Sequence, residues 1–243
     1  MTTPLQPPHA SPVHPRIRRF RPGVLRFSVA QFLGALVLML VGSPFVMELR
    51  HGAVYETIFM TLTLFTGVLA VGHRKRTLMI ATVLMLPALA GRWINHFLPH
   101  TVPTPAYLVA SLLCLAYIIV QLFRYILSAS DVDSEVLCAA IATYLLLGMQ
   151  WAFAYMLVDN LYPNSFIYTS GPVSNHSMAG FTSIYYSFCT LSTVGYGDIV
   201  PGSNNVRMLS CIESITGVFY GTILVARLVA LYSSSRHPRG NTP

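Results

Sequence analysis

The sequence predicts an all-α integral membrane protein with six transmembrane helices. Of its 243 residues, 54% are hydrophobic and only 9% are charged, and its mean hydropathy is +0.59. Because a soluble domain averages about 25% charged residues, charges must be excluded from most of this chain. Apolar stretches long enough to cross a bilayer recur along the sequence, and Lys and Arg cluster between them, as in multi-pass membrane proteins.

The charge and cysteine patterns exclude several classes of function. The formal net charge of +7 does not indicate a nucleic-acid partner, because the basic residues form short clusters between apolar spans. The four cysteines lie in apolar stretches, and their spacing fits neither a disulfide framework nor a zinc site. The sequence has no nucleophile–base set and no phosphate-binding loop. We therefore expect neither an enzyme nor a cofactor.

The first half of the chain predicts a tail followed by a four-helix domain. Residues 1–26 are rich in Pro and Arg and are expected to form a disordered cytoplasmic tail. Its arginines suit anionic lipids of the inner leaflet. Residues 27–130 are expected to form a domain of four transmembrane helices. The predicted spans are 27–46, 54–72, 77–97 and 106–127.

The second half, residues 131–232, predicts two further spans at about 136–158 and 207–232. Asp131 or Ser134 is the expected cap of the fifth helix. Residues 233–243 are expected to form a short cytoplasmic tail. This topology puts most of the 15 Lys and Arg residues in the cytoplasm. It predicts a plasma-membrane protein with both termini inside and the loop between the last two spans outside.

The last two spans flank the sequence Ser-Thr-Val-Gly-Tyr-Gly-Asp at residues 192–198, which follows an aromatic, helix-like run over about 182–191. A dehydrated monovalent cation needs oxygen ligands, and backbone carbonyls supply them without burying formal charges. To turn successive carbonyls to one side, the backbone must enter regions that L-residues avoid. Gly195 and Gly197 permit such a conformation.

The side chains of the same segment suit this interpretation. Thr193 can add a hydroxyl oxygen at the inner end. Val194 and Tyr196 are expected to point away from the ion and to hold the backbone by packing.

The sequence Thr-Val-Gly-Tyr-Gly at residues 193–197 is the filter sequence of potassium channels. Residues 136–232 therefore resemble the two-helix-plus-pore-loop module of the tetrameric potassium channel family. The resemblance implies a re-entrant pore helix and a selectivity filter between helices 5 and 6. It implies K⁺ as the permeant ion, bound at Thr193, Val194, Gly195 and Tyr196. Because one chain carries one filter, it also implies a homotetramer.

The resemblance suggests residues that support the filter. These are Tyr185, Tyr186, Ser192, Asp198 and Glu213. Both tyrosines are expected to pack behind Tyr196, with Tyr186 as a candidate hydrogen-bond partner of Asp198.

The last predicted span contains three residues whose roles the sequence leaves open. Glu213, an acid in apolar surroundings, is expected either to bond a pore-helix hydroxyl behind the filter or to attract ions and sense pH. Gly217 is a candidate hinge, and it also forms a small-xxx-small pair with Gly221 that would suit close helix packing.

The predicted function is a potassium-selective channel with little voltage dependence, because residues 106–123 carry no arginine to act as gating charges. Two alternatives remain at this point. One is a subunit of a K⁺ uptake transporter, and the other is a non-conducting sensor that retains a pore fold.

Overall fold

The computed structural model of the chain describes residues 25–47, 52–72, 75–98, 101–129, 133–169 and 177–235. Most of the two predicted tails, residues 1–24 and 236–243, lies outside the described residues. The first helix begins at Leu25 and the last ends at Ser235, so each helix includes a few residues of a predicted tail.

The helices coincide closely with the apolar stretches of the sequence. Every predicted span lies within a helix or departs from it by a single residue. In chain order the helices are α1 (Leu25–Met47), α2 (Gly52–Val71), α3 (Lys75–Phe97), α4 (Thr104–Ser128), α5 (Ser134–Leu161), α6 (Phe181–Leu191) and α7 (Asn204–Ser235).

Four helices in the described part of the chain are long and apolar enough to cross a membrane. They are Lys75–Phe97, Thr104–Ser128, Ser134–Leu161 and Asn204–Ala230. Shorter apolar helices, Val29–Phe45 and Met60–Val71, lie within α1 and α2. The chain is thus a multi-pass membrane protein, and the count of six spans stays a prediction.

The first four helices pack directly on the second half of the chain, mainly through α1 and α4 against α5. Their shared core contains fully buried Phe32 and Leu36 of α1, Ile118 of α4 and Leu146 of α5. Because lipid tails are as apolar as these side chains, their packing stabilises the contact through van der Waals interactions and not through the hydrophobic effect. Helix α5 therefore packs against helices of both halves of the chain.

Helix α5 begins at a cap that the sequence analysis misplaced. The carboxylate of Asp133 accepts hydrogen bonds from the backbone N–H groups of Glu135 and Val136, at 3.1 and 3.0 Å. The prediction of Asp131 or Ser134 as the cap is therefore wrong: Ser134 is already helical, and Asp131 lies outside the described residues. An aspartate at this position satisfies helix N–H groups that have no partner within the helix.

Helix α6 has 11 residues, about 16 Å in length, and it packs between α5 and α7. It contacts α5 so closely that a Cβ atom at Gly148 would lie 2.5 Å from the ring of Phe188. The structure also contains two short strands, which the predicted all-α class did not include. Strand β1 (Phe166–Tyr168) precedes α6, strand β2 (Ile199–Pro201) follows residue 198, and the two pair antiparallel with Tyr168 opposite Ile199.

Candidate functional site

The segment between α6 and β2 has an alternating backbone conformation. Thr193, Gly195 and Gly197 have positive φ angles of 59°, 54° and 82°. Val194 and Tyr196, which lie between them, do not. The sequence predicts this conformation at the glycines but not at Thr193, because a β-branched residue at positive φ is a genuine outlier that costs about 1–3 kcal/mol.

The N–H groups at the start of this segment turn towards α6. The N–H groups of Val194 and Gly195 both donate to the carbonyl of Cys189, at 2.9 and 3.2 Å, and that of Thr193 donates to Thr190 at 3.0 Å. The described chain has no cis peptide bond, and in a trans peptide unit the carbonyl points opposite to the N–H. The carbonyls of Thr193 and Val194 therefore point away from α6.

In a single chain this segment lies on the surface. Residues 192–197 are all exposed, with Val194 at 52% and Tyr196 at 72% of full exposure. A cleft of about 470 Å³ lies behind the segment, between α6, β2 and α7. The cleft and the exposed residues 192–197 leave this region only partly packed within one chain.

Tyr185 and Tyr196 connect helix α6 to the segment. Their rings are parallel, with centroids 6.3 Å apart. The hydroxyl of Tyr185 donates to the carboxylate of Asp198 at 2.8 Å. The prediction that Tyr186 is the partner of Asp198 is therefore wrong. On a helix, adjacent residues point about 100° apart, so only one of the two tyrosines faces the segment.

Tyr186 instead lies on a different face of α6, in a cluster of aromatic rings. Its ring packs edge-on against Tyr155 of α5 and Phe166 of β1, with centroid distances of 4.9 and 5.4 Å. Its hydroxyl lies 2.8 Å from that of Ser210 on α7. Sequence analysis missed Tyr155 and Phe166 because both lie far from Tyr186 along the chain.

Glu213 is fully buried between three helices. Its carboxyl oxygens accept hydrogen bonds from the hydroxyls of Tyr155 on α5 and Ser187 on α6, each at 2.5 Å. Ser187 also lies 2.7 Å from the carbonyl oxygen of Gly148. This is the arrangement that the first of the two predicted roles of Glu213 requires, because the side chain bonds a hydroxyl of α6.

Helices α6 and α7 meet where α6 ends. The hydroxyl of Ser214 donates to the carbonyl of Thr190 at 3.1 Å. One turn further, a Cβ atom at Gly217 would lie only 2.0 Å from the carbonyl oxygen of Leu191. Gly217 therefore permits close packing, whereas a Cβ atom at Gly221 would meet nothing within 4 Å. The two glycines do not act as a packing pair within the chain.

The strands β1 and β2 hold the loop after α5 against the outer end of the segment. The pairing continues beyond Tyr168, because the N–H of Thr169 donates to the carbonyl of Asp198 at 2.8 Å. Burial, and secondarily the charge of Asp159, raises the pKa of Tyr168 to about 12, so its hydroxyl stays neutral near pH 7. Nothing in the sequence predicts these strands, since three residues are too few for a periodic pattern.

Comparisons with known proteins agree with this geometry. Residues 136–234 match a family model described as an ion channel. The chain is also similar to two-pore potassium channel 1 of Arabidopsis thaliana, with 39% identity over 59 residues, and to two-pore potassium channel 4 of the same plant, with 42% over 48 residues. The family match and the two similarities support a potassium channel family for residues 136–234.

These matches agree with the potassium channel family that the sequence suggested. The similar stretches cover 24% and 20% of this chain, and only 15% and 17% of the two plant channels. No solved structure matches the chain. The four helices before the channel domain lie outside the matched family model.

Proposed function

We propose that the chain is a subunit of a potassium-selective channel and that residues 193–197 are its selectivity filter. The observation that carries the proposal is the alternation of positive φ at Thr193, Gly195 and Gly197. When successive residues alternate between right-handed and left-handed backbone conformations, their N–H groups turn to one side and their carbonyls to the other. A row of carbonyls can replace the hydration shell of K⁺.

The proposed ligands are the carbonyls of Thr193, Val194, Gly195 and Tyr196. The side chains of Ser192 and Asp198 would support the two ends of the filter. The hydroxyl of Ser192 donates to the carbonyl of Phe188 at 2.6 Å, and Asp198 is held by Tyr185. These contacts support the proposal because the ligand carbonyls need fixed positions to distinguish K⁺ from smaller ions.

A homotetramer would complete the site. One chain contributes one filter strand, and a ring of four strands is needed to surround an ion. Two features of the single chain support assembly. Residues 192–197 are exposed. Only 17% of the most apolar stretch of α7 is buried, compared with 56% of that of α5. Helix α7 would then line the pore or contact neighbouring subunits.

Helix α6 would act as a re-entrant pore helix between the fifth and sixth spans. The carbonyl end of a helix carries a partial negative charge. In a tetramer, four such ends near Leu191 would favour a cation in a central cavity. Glu213 of α7 would support α6 through the hydroxyl of Ser187, and Tyr186 would tie α6 to α7 through Ser210.

The surrounding membrane topology is part of the proposal. Both termini would be cytoplasmic, the filter would open to the outside of the plasma membrane, and the arginines of residues 1–26 would contact anionic lipids. Because Arg124 is the only charged residue in α4, we expect a conductance with little voltage dependence. A steep conductance–voltage curve would contradict this expectation.

Flux through purified protein tests the proposed function. In liposomes, the wild-type chain is expected to pass K⁺ much faster than Na⁺. Gly195→Ala places a Cβ atom at a φ of 54° and is expected to abolish this selectivity or the flux itself. Gly34→Ala in α1 is the matched control, because its Cβ would meet nothing within 4 Å.

The same preparation separates the alternatives. An assembled tetramer that passes no K⁺ would favour the non-conducting sensor. A stable monomer, or an assembly with a number of chains other than four, would contradict the homotetrameric channel and leave the transporter subunit.

A further inference from the structure

We propose that the hydroxyl of Thr169 is a positioning group for the outermost carbonyls of the filter. This inference rests on the proposed channel function, and it assigns to the loop after α5 a role in ion binding. Thr169 lies 28 residues before Gly197 in the chain, and its hydroxyl donates to the carbonyl oxygen of that glycine at 2.9 Å. The same hydroxyl lies 3.1 Å from the carbonyl oxygen of Asp198.

The strand pairing determines where Thr169 lies. Tyr168 pairs with Ile199, and the next N–H, that of Thr169, bonds the carbonyl of Asp198 at 2.8 Å. At the other end of the pairing, the N–H groups of Gly202 and Ser203 both reach the carbonyl of Ser165, at 2.8 and 3.3 Å. The position of Thr169 is thus set by the backbone and does not depend on its own side chain.

The Gly197 carbonyl has little else to hold it. Gly197 has a φ of 82° and no Cβ, and the space that a Cβ would occupy is empty to 4 Å. Because glycine has no Cβ, its φ and ψ angles are less restricted than those of other residues, and ψ of Gly197 sets the orientation of the peptide unit between Gly197 and Asp198. The Thr169 hydroxyl favours one orientation of that unit.

The hydroxyl has one proton to donate and the Gly197 carbonyl has two lone pairs. A bond from Thr169 therefore leaves one lone pair of this oxygen for a cation. It also restricts the direction in which the carbonyl points. The predicted consequence is a change in how well the outer end of the filter holds K⁺, with little change in the flux when K⁺ saturates the filter.

Tyr185 acts on a different atom. It holds the carboxylate of Asp198 from the helix side, whereas Thr169 contacts backbone carbonyls from the loop side. The Thr169 hydroxyl is exposed, so its removal is expected to change folding stability very little. A variant at this position can therefore report on ion binding without loss of assembly.

The test compares Thr169→Val with Thr169→Ser in liposomes. Valine has nearly the shape of threonine but no hydroxyl, and it keeps the backbone N–H that bonds Asp198. Serine keeps the hydroxyl. K⁺ flux is measured over a range of external K⁺ concentrations. For Thr169→Val, the external K⁺ needed for half-maximal flux is expected to change roughly two- to tenfold, the range of one net hydrogen bond.

Under the same conditions the maximal flux of Thr169→Val is expected to stay near that of wild type, and Thr169→Ser is expected to follow wild type throughout. A Thr169→Val variant with an unaltered K⁺ dependence overturns the inference. So does a Thr169→Ser variant that changes as much as Thr169→Val, because the effect would then come from packing of the methyl group.

Two further outcomes are distinguishable. If Thr169→Val does not assemble, the same comparison is made with Thr169→Ala, and an unaltered K⁺ dependence of Thr169→Ala overturns the inference. If the wild-type chain passes no K⁺, the proposed channel function fails and this inference fails with it. Normal wild-type flux with unchanged variants contradicts the role of Thr169 alone.

Discussion

Glu213 is held by hydroxyl donors alone, since its two described hydrogen bonds come from Tyr155 and Ser187. No Lys or Arg bonds it in the described part of the chain. A buried carboxyl with such partners acts as an acceptor that ties helices together, and a neutral amide of the same size can do the same. Its role can therefore be separated from its charge.

We expect Glu213→Gln to assemble as wild type and to keep the K⁺ flux of wild type across pH. The amide oxygen can accept from one hydroxyl, and its NH₂ can donate to Ser187, which remains able to donate to Gly148. Glu213→Ala leaves the hydroxyls without this partner and is expected to cost roughly 1–3 kcal/mol for each one. Thermal unfolding and flux at several pH values measure both variants.

A Glu213→Gln variant that loses a pH dependence present in the wild type would contradict this structural role and support pH sensing. Equal destabilisation by Gln and Ala would show that the carboxyl itself is needed.

How well the sequence predicts the conformation or the partner of a single residue depends on whether nearby residues determine it. The conformations of Gly195 and Gly197 follow from the glycine side chain itself, so the sequence predicts them. The positive φ of Thr193 depends on the N–H groups that fold back on α6. The partner of Asp198 depends on which face of α6 turns to residues 193–198, and a run of two tyrosines does not reveal that face.

At the scale of elements, the apolar stretches predict the helices well, because membrane length and hydropathy act over about 20 residues. The strands β1 and β2 could not be predicted in the same way. They form because the loop after α5 returns across residues 197 and 198, and that return depends on how α5, α6 and α7 pack together.

The contact between α6 and α7 gives a sharp prediction at this scale. Gly217→Ala would put a Cβ atom 2.0 Å from a backbone oxygen, which only a backbone movement can relieve. Such overpacking typically costs about 1–3 kcal/mol, and we expect a clear loss of thermal stability and of K⁺ flux. The reason is that the helix end at Leu191 must move, and the segment proposed as the filter begins two residues later, at Thr193.

Gly221→Ala is the matched control within the same helix. Its Cβ would meet nothing within 4 Å in the chain, and alanine favours the helix over glycine by about 1 kcal/mol. We expect much smaller losses than for Gly217→Ala. Equal effects of the two substitutions would contradict a special contact at Gly217 and would favour a shared role in gating or subunit packing.

At the scale of the whole molecule, the structure joins the first four helices to the channel domain at a point that the sequence does not reveal. Arg227 of α7 donates through Nη2 to the carbonyls of Leu127 and Ala129, both at 3.0 Å. These carbonyls lie at the end of α4, where the last turn of a helix lacks partners. A cation there also interacts favourably with the helix dipole.

The sequence does not reveal these contacts, because 98 and 100 residues separate Arg227 from its two partners. The two bonds join α7 to the end of α4, and we expect them to couple the movements of these two helices. In a tetramer this would connect the outer helices to the inner end of the pore.

Substitution of Arg227 by Met tests this coupling, because methionine keeps an apolar stem and removes the donors. Loss of the bonds is expected to reduce the free energy of unfolding by about 1 kcal/mol for this partly exposed group. It is also expected to speed hydrogen exchange at the ends of both α4 and α7. Arg227→Lys, which keeps the charge, should fall between Met and wild type. Faster exchange confined to α7, with α4 unchanged, would mean that the two helices move independently and that the four front helices do not influence the pore through this residue.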